Sequence, residues 1–576
     1  MAQGWNIDAT ADKITFLEAP PSGTNNIVVK EFASGAVGGT DAFALGAWSN
    51  SFGWPSEIEF FADRLWFAGT PLDPQLIWGT QIADYSNFGK STPIVDSDAV
   101  SFAINARQVN AVMDLVPLDK MIVLAKGGEF LMSGGQDDVI TPSTISIKPQ
   151  SYRGTGGLQA EVLGDTAIFV QEQGQRVYDI GYRFEADGYK PQDISVWANH
   201  LVAGYRLNRM RWMPGPWAVI WFVRNDGVQL GCTYMPEQEV IGWHRHDTGR
   251  NVNGDGSDGF EDIVCLPGDV QSEYFAIVKR TINGVTKRYI EQLSPDYVDD
   301  ELDFHYVDCG LVYDGRNTTA TTMALFGGVT WDDEEALTLM ASASMFSNPG
   351  DIGDGMRLEV TVPETDPESG VTSDVTYGID VQITDYISAT QVTVTPTGVV
   401  PEPLRGVATT AWTFQRDTIS GLGHLEGREV TILSDANVHR KLVVAGGAVT
   451  LDRPGGVVHI GLSYRAHIET LEVNNPGGPG VRDAKKLLTS IGLLLQNTRG
   501  VKLCGGTLND EYLYEVPQRE FEDWGTPTQP LTGYAETPVS AEWGENNGHG
   551  HIVSDDPLPM TVLAIVPRVM VSDRVA

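Results

Sequence analysis

The chain has 576 residues, and its 39 basic and 76 acidic side chains give a formal net charge of −37 at pH 7. A chain of this length exceeds what a single hydrophobic core supports, so we expect two to four domains. A surface this acidic excludes general binding of nucleic acid, because phosphate contacts require lysine and arginine. The hydrophobic fraction of 41% argues against disorder.

The 63 glycines and 31 prolines punctuate short apolar runs, which is typical of an all-β chain. The start of the sequence has no basic region followed by an apolar run, so we predict no secretory signal. No stretch approaches eighteen apolar residues, so we predict no membrane span. The N-terminal segment 1–46 contains KITFLEAPPSGTNNIVVKEF, and we predict one short hairpin over Lys13 to Phe32.

The next segment, GWPSEIEFFADRLWFAG from Gly53 to Gly69, predicts a hairpin with a polar turn at Asp63-Arg64. PQLIWGTQIADYSNFG follows, from Pro74 to Gly89. Its aromatic residues and those of the hairpin are candidates for stacking on sugars, although their place at the ends of apolar runs favours the core. These aromatic residues are Trp54, Trp66, Trp78, Tyr85 and Phe88.

Between Glu57 and Leu293, apolar runs followed by tight turns recur roughly every 45 to 57 residues, within a predicted propeller-like domain of residues 47–307. Turn candidates in these runs are Gly127-Gly128, Gln173-Gly174, Asp226-Gly227 and Asn283-Gly284. A period near 50 residues in an all-β chain predicts an irregular β-propeller with five or six blades of about four strands each. An irregular array of β-sandwiches is the alternative interpretation.

Three further regions complete the predicted organisation. Residues 308–418, rich in Thr, Val, Gly, Asp and Ser, predict an inserted β-sandwich or β-barrel domain. Residues 419–475 predict a small β-module, and residues 476–576 predict a C-terminal β segment that packs back on the body. Within the last region, Ala484 to Leu503 is predicted as strand and hairpin rather than helix, because Gly492 and the cluster Asn497 to Gly500 disfavour a helix.

Two motifs suggest metal binding. In WHRHD, His244 and His246 would face one side of a strand, but a zinc site needs further ligands and the sequence identifies none. NVNGDGSDGFED, from Asn251 to Asp262, partly matches a calcium loop, with Asn and Asp at the first and last positions where Asp and Glu are usual. We therefore predict a Gly/Asp-rich hairpin loop, with a weak calcium site as the alternative.

No G-x-S-x-G elbow, H-E-x-x-H or P-loop motif occurs, so we predict no catalytic residues, no cofactor and no metal requirement. The four cysteines, Cys232, Cys265, Cys309 and Cys504, are far apart in the sequence and include no C-x-x-C pair. This excludes a zinc ribbon and predicts buried free thiols in a chain made in a reducing cytoplasm.

The segments from Gly53 to Gly89 resemble the tail nozzle proteins of short-tailed bacteriophages, also called tail tubular protein B. Further segments that resemble the family follow in its order: ARQVNAVMDLVPL (106–118), GGEFLMSGG (127–135), ITPSTISIKPQSYRG (140–154), EVIGWHRHDT (239–248), RTINGVTKRYIEQL (280–293), GLGHLEGREVTILSDANVH (421–439) and DDPLPMTVLAIVP (555–567). The residues we take as the family signature, for fold rather than catalysis, are Trp54, Pro55, Phe61, Arg64, Trp66, Trp78, Asp84, Tyr85, Phe88, Trp243 and His244.

The resemblance implies a structural virion protein, a homohexamer that forms the DNA-exit channel of the phage tail. It implies docking on the adaptor ring and an attachment surface for fibres or spikes, with DNA passing through without specific binding. The family carries a substantial region before the Gly-Trp-Pro segment, where this sequence has 52 residues. We therefore expect either a shortened member or one half of a split nozzle. The alternative function is a host-glycan-binding or depolymerising tail component.

Overall fold

A computed structural model describes residues 48–572 apart from residues 51, 106–109, 136–138, 250–257, 296–299, 366–370, 475–483, 520–525, 540 and 545–547. Before residue 48 it describes the backbone of four strands, Trp5–Asp8, Lys13–Phe16, Ile27–Lys30 and Ala42–Leu45.

The protein is all-β, with 54% of its described residues in strands and 5% in helices. In the described part of the chain, the single α-helix is Asn199–Val202. The 3-10 turns are Phe184–Ala186, Val196–Ala198, Pro236–Gln238, Glu301–Asp303, Glu402–Leu404, Leu422–Leu425 and Asp510–Tyr512. None of the described helices has the length and apolar character needed to cross a bilayer.

The chain divides into two compact units. The first comprises Met1–His246 and Gly259–Val278, and the second comprises Asp247–Asp258 and Lys279–Ala576.

The first unit is built from successive antiparallel meanders. The first sheet contains Glu57–Phe61, Arg64–Ala68, Leu76–Gly79 and Val100–Ala103, and the second contains Val112–Pro117, Met121–Ala125, Gly128–Ser133 and Ser146–Ser151. The third sheet contains Glu161–Leu163, Thr166–Val170, Val177–Arg183 and Gly188–Asp193. The fourth sheet contains Leu207–Met213, Val219–Arg224, Gln229–Met235 and Val240–His246. A three-stranded sheet follows, with strands Gly259–Leu266, Glu273–Ile282 and Val285–Gln292, and the division between the units falls within its second strand.

Each of these sheets shares a hydrophobic core with the next one along the chain. Trp66 of the first sheet packs with Met121 of the second, and Ile122 of the second packs with Phe169 of the third. Ile168 of the third sheet shares a core with Phe222 of the fourth, and the fourth shares another with the fifth. Sheets of consecutive strands stacked face to face in chain order form an irregular β-propeller, as predicted.

Tight turns between paired strands of the propeller sheets contain residues with positive φ. The first hairpin turns at Ala62 and Asp63, with φ of 48° and 55°, so the predicted turn at Asp63-Arg64 is wrong by one residue. Phe61 pairs with Arg64 because a two-residue loop with positive φ at both positions matches the twist of the strands. The prediction at Gly127-Gly128 is also wrong by one residue, since Gly128 pairs with Ala125.

The single hairpin predicted for Lys13 to Phe32 is wrong. Lys13–Phe16 pairs with Trp5–Asp8, and Ile27–Lys30 pairs with Ala42–Leu45, each in an antiparallel ladder. Four residues separate the first two strands, against ten between Phe16 and Ile27. For the first of the two observed pairs, the shorter connection costs less entropy to close.

The second unit contains the remaining sheets. With strands given in sheet order, a four-stranded sheet contains Asp308–Asp314, Val457–Leu462, Glu429–Ser434 and Asn437–Val443. A seven-stranded sheet contains Met323–Phe326, Leu337–Ala341, Gln391–Pro396, Thr372–Ser388, Gly355–Thr365, Trp412–Ser420 and Ala448–Gly455. A second four-stranded sheet contains Ala466–Glu469, Gly550–Ser554, Lys502–Gly505 and Tyr514–Glu515, and a three-stranded sheet contains Leu531–Pro538, Lys486–Thr498 and Val562–Val571.

Strand pairing in this unit crosses the predicted boundary between residues 418 and 419. Trp412–Ser420 pairs with Ala448–Gly455, and Asp308–Asp314 pairs with Val457–Leu462. None of the described sheets closes into a barrel, so the seven-stranded sheet is an open one. Lys486–Thr498 is a strand, as predicted, and it pairs with one neighbouring strand on each side. The predicted hairpin with the following segment is wrong, because both edges of Lys486–Thr498 are already paired and Lys502–Gly505 belongs to a different sheet.

Candidate functional site

The first propeller sheet, which holds most of the family-signature residues, has two unlike faces. Paired residues of an antiparallel sheet project to the same side, so the register defines both faces. One face, here called the inner face, carries the row Glu59 and Trp66, whose indole packs with the second sheet. The outer face carries the rows Ile58–Phe67–Trp78 and Phe60–Leu65.

The inner face is close-packed around Trp66. This side chain is fully buried, and its Nε1–H donates to the Phe61 carbonyl oxygen over 2.9 Å. Phe61 packs against the same core. Gly79 lies across the ladder, where an added Cβ would stand 2.7 Å from the Trp66 ring. The glycine is required here because the indole occupies the space of any side chain.

Arg64, also fully buried, organises the long connection after the third strand of this sheet. Its guanidinium donates to the carbonyl oxygens of Thr80 (2.5 Å), Asp98 (2.6 Å) and Asp96 (2.8 Å). Burial lowers the pKa of Arg64, which the nearby Asp98 carboxylate partly offsets. The Asp98 carboxylate accepts in turn from the backbone N–H groups of Ser91 and Val95. One arginine therefore fixes the backbone of residues 80–98.

A cluster of aromatic side chains lies on the outer face, and Phe88 of the connection 80–98 belongs to it. Trp48 contacts Phe67, Trp78 and Phe88 with ring centroids 4.8, 5.5 and 5.2 Å apart. Trp78 is buried, but Phe88 is 38% exposed. Edge-to-face contacts of this kind stabilise a cluster beyond the area that it buries.

Around this cluster, the outer face is open to solvent. Trp54, Ile58 and Phe60 are 61%, 59% and 59% exposed, and Tyr85, at 46%, packs edge-on against Phe60 with centroids 5.1 Å apart. We call these four residues the outer apolar surface. The sequence favoured core positions for the aromatic residues, and the structure divides them: Trp66 and Trp78 are core, whereas Trp54, Tyr85 and Phe88 are exposed.

The other signature residues of this region are polar or structural. Pro55 is half-buried just before the first strand. Asp84 is exposed beside Tyr85, and its carboxylate accepts from the Ser86 hydroxyl over 3.2 Å. Trp54 Nε1–H donates to Asn50 Oδ1 over 3.4 Å. Carboxylate and amide groups therefore border the outer apolar surface.

Carboxylates also gather on the first strands of the propeller sheets, which lie beside one another. Burial and the Asp114 carboxylate raise the pKa of Glu57 to about 7, and burial raises that of Asp114 to about 6. Asp114 accepts from the Ala160 backbone N–H over 2.6 Å. Glu161 pairs with Arg211 Nη1 at 3.4 Å, yet burial still raises its pKa. These groups form an acidic centre of the propeller.

Trp243 and His244 lie on the last strand of the fourth sheet. Trp243 stacks on Phe222 and donates to the Ile194 carbonyl oxygen over 2.9 Å, which is a structural role. His244 Nδ1 lies 2.6 Å from His246 Nε2, so the two imidazoles do share one side of the strand. Partial burial lowers the pKa of His244. Among the described residues, these two histidines have no third metal-ligating side chain grouped with them.

The Gly/Asp-rich loop predicted from Asn251 to Asp262, with a calcium site as its alternative, lies largely outside the described residues, which include only its last part. Asp262, the twelfth position, pairs with Arg209 Nε at 3.0 Å and accepts from the Ile263 backbone N–H. Its carboxylate is therefore engaged within the fourth and fifth sheets.

The cysteines are free thiols, as predicted. Cys232 and Cys504 are buried, whereas Cys265 and Cys309 are partly exposed. Burial raises the pKa of Cys232 to about 12. A thiol held protonated in this way is a poor nucleophile.

One group of metal-ligating residues was not predicted from the sequence. His467, Glu469 and His551 lie on adjacent strands of the second unit, and one ligand atom from each is within 4.8 Å of the others. The signal was present in the motifs HIE and HGH, since alternate residues of a strand share a face. Strand register alone brings the two motifs together.

No protein-family model matches the chain, and no curated protein sequence does either. Among solved structures, the crystal structure of a protein from Lactobacillus plantarum is similar with a TM-score of 0.27 and 11% identity. The match covers 68% of this chain and 95% of that chain. A similarity this distant carries no argument about function.

Proposed function

We propose that the chain is a structural virion protein, the nozzle of a short phage tail, and that its outer apolar surface contacts a neighbouring copy in a ring. The observation that carries the proposal is the exposure of Trp54, Ile58 and Phe60. These residues belong to the very segment that most resembles the nozzle family.

In the strand Glu57–Phe61, the usual arrangement of apolar residues inside and charged residues outside is reversed, which supports a contact of this kind. Ile58 and Phe60 project to solvent, whereas Glu57 and Glu59 turn towards the acidic centre of the propeller. Exposed apolar side chains grouped on one strand form an association surface, because leaving them in water is unfavourable. In a chain with a net charge of −37, such an apolar patch offers contact without like-charge repulsion at the patch itself.

The function is mechanical: the ring encloses the DNA exit, stays closed in the virion and opens on contact with the host. The negative charge of each copy disfavours adhesion of DNA to the ring during passage. The adaptor ring above and the fibres or spikes around it are the protein partners in this proposal. The tail of the virion is the location.

The test is native mass spectrometry of the purified chain, combined with negative-stain class averages. We expect a six-fold ring with a central hole wide enough for duplex DNA. Phe60→Ser and Ile58→Ser should dissociate the ring into smaller species. Val270→Ser, at a residue that is 97% exposed outside the outer apolar surface, is the matched control and should leave the ring intact.

A trimer contradicts the nozzle, and so does a chain that stays monomeric at every concentration tested. A ring that persists in Phe60→Ser would retain the nozzle but reject the outer apolar surface as its interface. Both results are read from the same spectra.

The second candidate is a tail component that binds host glycans, favoured by the carboxylate and amide groups that border the exposed aromatic rings. Tyr85 and Trp54 would stack on sugar rings, with Asp84 accepting from hydroxyl groups. Binding of host polysaccharide that Tyr85→Ala abolishes, with the oligomeric state unchanged, would favour this candidate over the nozzle interface.

A further inference from the structure

Two neighbouring strands of the second unit carry imidazole and carboxylate groups on one face. In the antiparallel ladder of Ala466–Glu469 with Gly550–Ser554, Glu469 pairs directly with His551. His467 lies two residues from Glu469 and therefore on the same face. Because the register brings these three side chains together, their ligand atoms all lie within 4.8 Å of one another.

The two imidazoles are already oriented towards a common point. His551 Nε2 lies 2.7 Å from the Gly506 carbonyl oxygen, which can only accept, so this nitrogen carries the proton. The lone pair of His551 is then on Nδ1, which is 3.0 Å from His467 Nε2. A metal-bound histidine is commonly held in this way, with its second nitrogen donating to a backbone carbonyl.

We propose that His467, Glu469 and His551 bind a divalent zinc-like metal ion, with one coordination position left open to solvent. Two imidazole nitrogens and one carboxylate oxygen form a donor set suited to Zn²⁺. Calcium and magnesium prefer all-oxygen sites and fit it poorly.

The distance between the two imidazoles requires little rearrangement. Tetrahedral zinc with Zn–N bonds of roughly 2.0 Å places two ligand nitrogens roughly 3.3 Å apart. The observed 3.0 Å between His467 and His551 therefore has to widen by only a few tenths of an ångström. The hydrogen bond between the rings is exchanged for two metal bonds when the proton of His467 moves to its Nδ1.

Burial defines how the site would be filled. His551 is only 4% exposed and would bind the metal from the protein interior. His467 and Glu469 are exposed and would bind it from the solvent side. His549 lies close by: its Nδ1 is 2.9 Å from the Thr470 carbonyl oxygen and 3.7 Å from Glu469 Oε1, and its Nε2 is 3.2 Å from a Glu472 oxygen. The site thus has three protein ligands, and water completes the coordination.

The experiment is isothermal titration of ZnCl₂ into the full chain after removal of metal with EDTA, supported by the visible spectrum of the Co²⁺-loaded protein. We expect about one equivalent of Zn²⁺ at this site and a Co²⁺ spectrum of four-coordinate type. His467→Ala and Glu469→Gln change exposed side chains, so circular dichroism should be unaltered. Each should weaken Zn²⁺ binding at least about tenfold.

Two controls decide whether the binding belongs to this site. His200→Ala removes an exposed histidine of the first unit and should leave the titration unchanged. His244→Ala disrupts the other histidine pair and should also leave it unchanged. The proposal is overturned if the wild-type chain binds no Zn²⁺, if His467→Ala binds as tightly as wild type, or if His244→Ala is the variant that removes the binding.

Discussion

At the scale of single residues, buried charge distinguishes this propeller from a purely apolar one. Arg64 is fully buried and bonds three backbone carbonyls, so one side chain shapes a loop of nineteen residues. Glu57 and Asp114 bring two carboxylates into the centre of the same unit without a full set of cationic partners. Such groups titrate at unusual pH and make stability depend on it.

Glu57→Gln should therefore stabilise the protein more at pH 8 than at pH 5. The pKa of Glu57 is raised from 4.5 to about 7, so the folded state holds this proton more tightly than the unfolded state. The contribution of Glu57 is most favourable at low pH, and stability is lost as pH rises from about 4.5 to about 7. Glutamine does not titrate, and with solvent screening of this half-buried group we expect a gain of about 1 kcal/mol at pH 8.

Thermal unfolding of the wild-type chain and of Glu57→Gln, at pH 5 and at pH 8, measures the difference in stability between them. Adding Asp114→Asn to both chains should reduce it, because the Asp114 charge is one cause of the raised pKa. An equal effect of Glu57→Gln at pH 5 and pH 8 would contradict the assignment.

At the scale of elements, turn chemistry decides where each hairpin closes. The predicted turns at Asp226-Gly227 and Asn283-Gly284 lie between paired strands. Both residues of Asn283-Gly284 have positive φ, whereas in Asp226-Gly227 only the glycine does. The first hairpin turns instead at Ala62-Asp63, a pair that carries no such signal. Its register is set by Trp66 and Arg64, whose burial outweighs the local preference of the turn.

Ala62→Asn combined with Asp63→Gly should accordingly raise the melting temperature. Both positions have positive φ, and Asn-Gly adopts this turn with less strain, so we expect about 1 kcal/mol of stabilisation. Differential scanning calorimetry of the full chain is the measurement. Gly284→Ala, at a φ of 74°, is the opposite control and should lower stability. A double variant that melts below wild type would show that the native turn is not strained.

At the scale of the whole molecule, the two compact units have separate hydrophobic cores. Arg64 stabilises the first unit, whereas in the second unit Lys486 is fully buried and its Nζ lies 2.7 Å from Glu472 Oε1. Separate cores generally unfold as separate cooperative transitions.

Heating should therefore give two transitions that respond to different substitutions. Arg64→Met leaves three carbonyls without a donor and should lower only the transition of the first unit, by about 3 kcal/mol. Glu472→Gln weakens a buried ion pair and should lower only the other transition, by about 3 kcal/mol or more. Lys148→Met, at an exposed lysine, is the control for charge loss. A single transition that both substitutions shift equally would reject independent unfolding.

Local pattern was enough to predict the all-β class, the propeller with sheets recurring about every 50 residues, and the strand at Lys486–Thr498. These features depend on strand alternation and turn residues, whose effects extend over a few positions. The tertiary structure alone decided that Trp54 and Phe60 are exposed while Trp66 is buried, because aromatic residues of one hairpin differ only in which face another sheet covers. It alone joined His467 and Glu469 to His551, since pairing of strands more than eighty residues apart depends on packing of the whole unit, which no local pattern records.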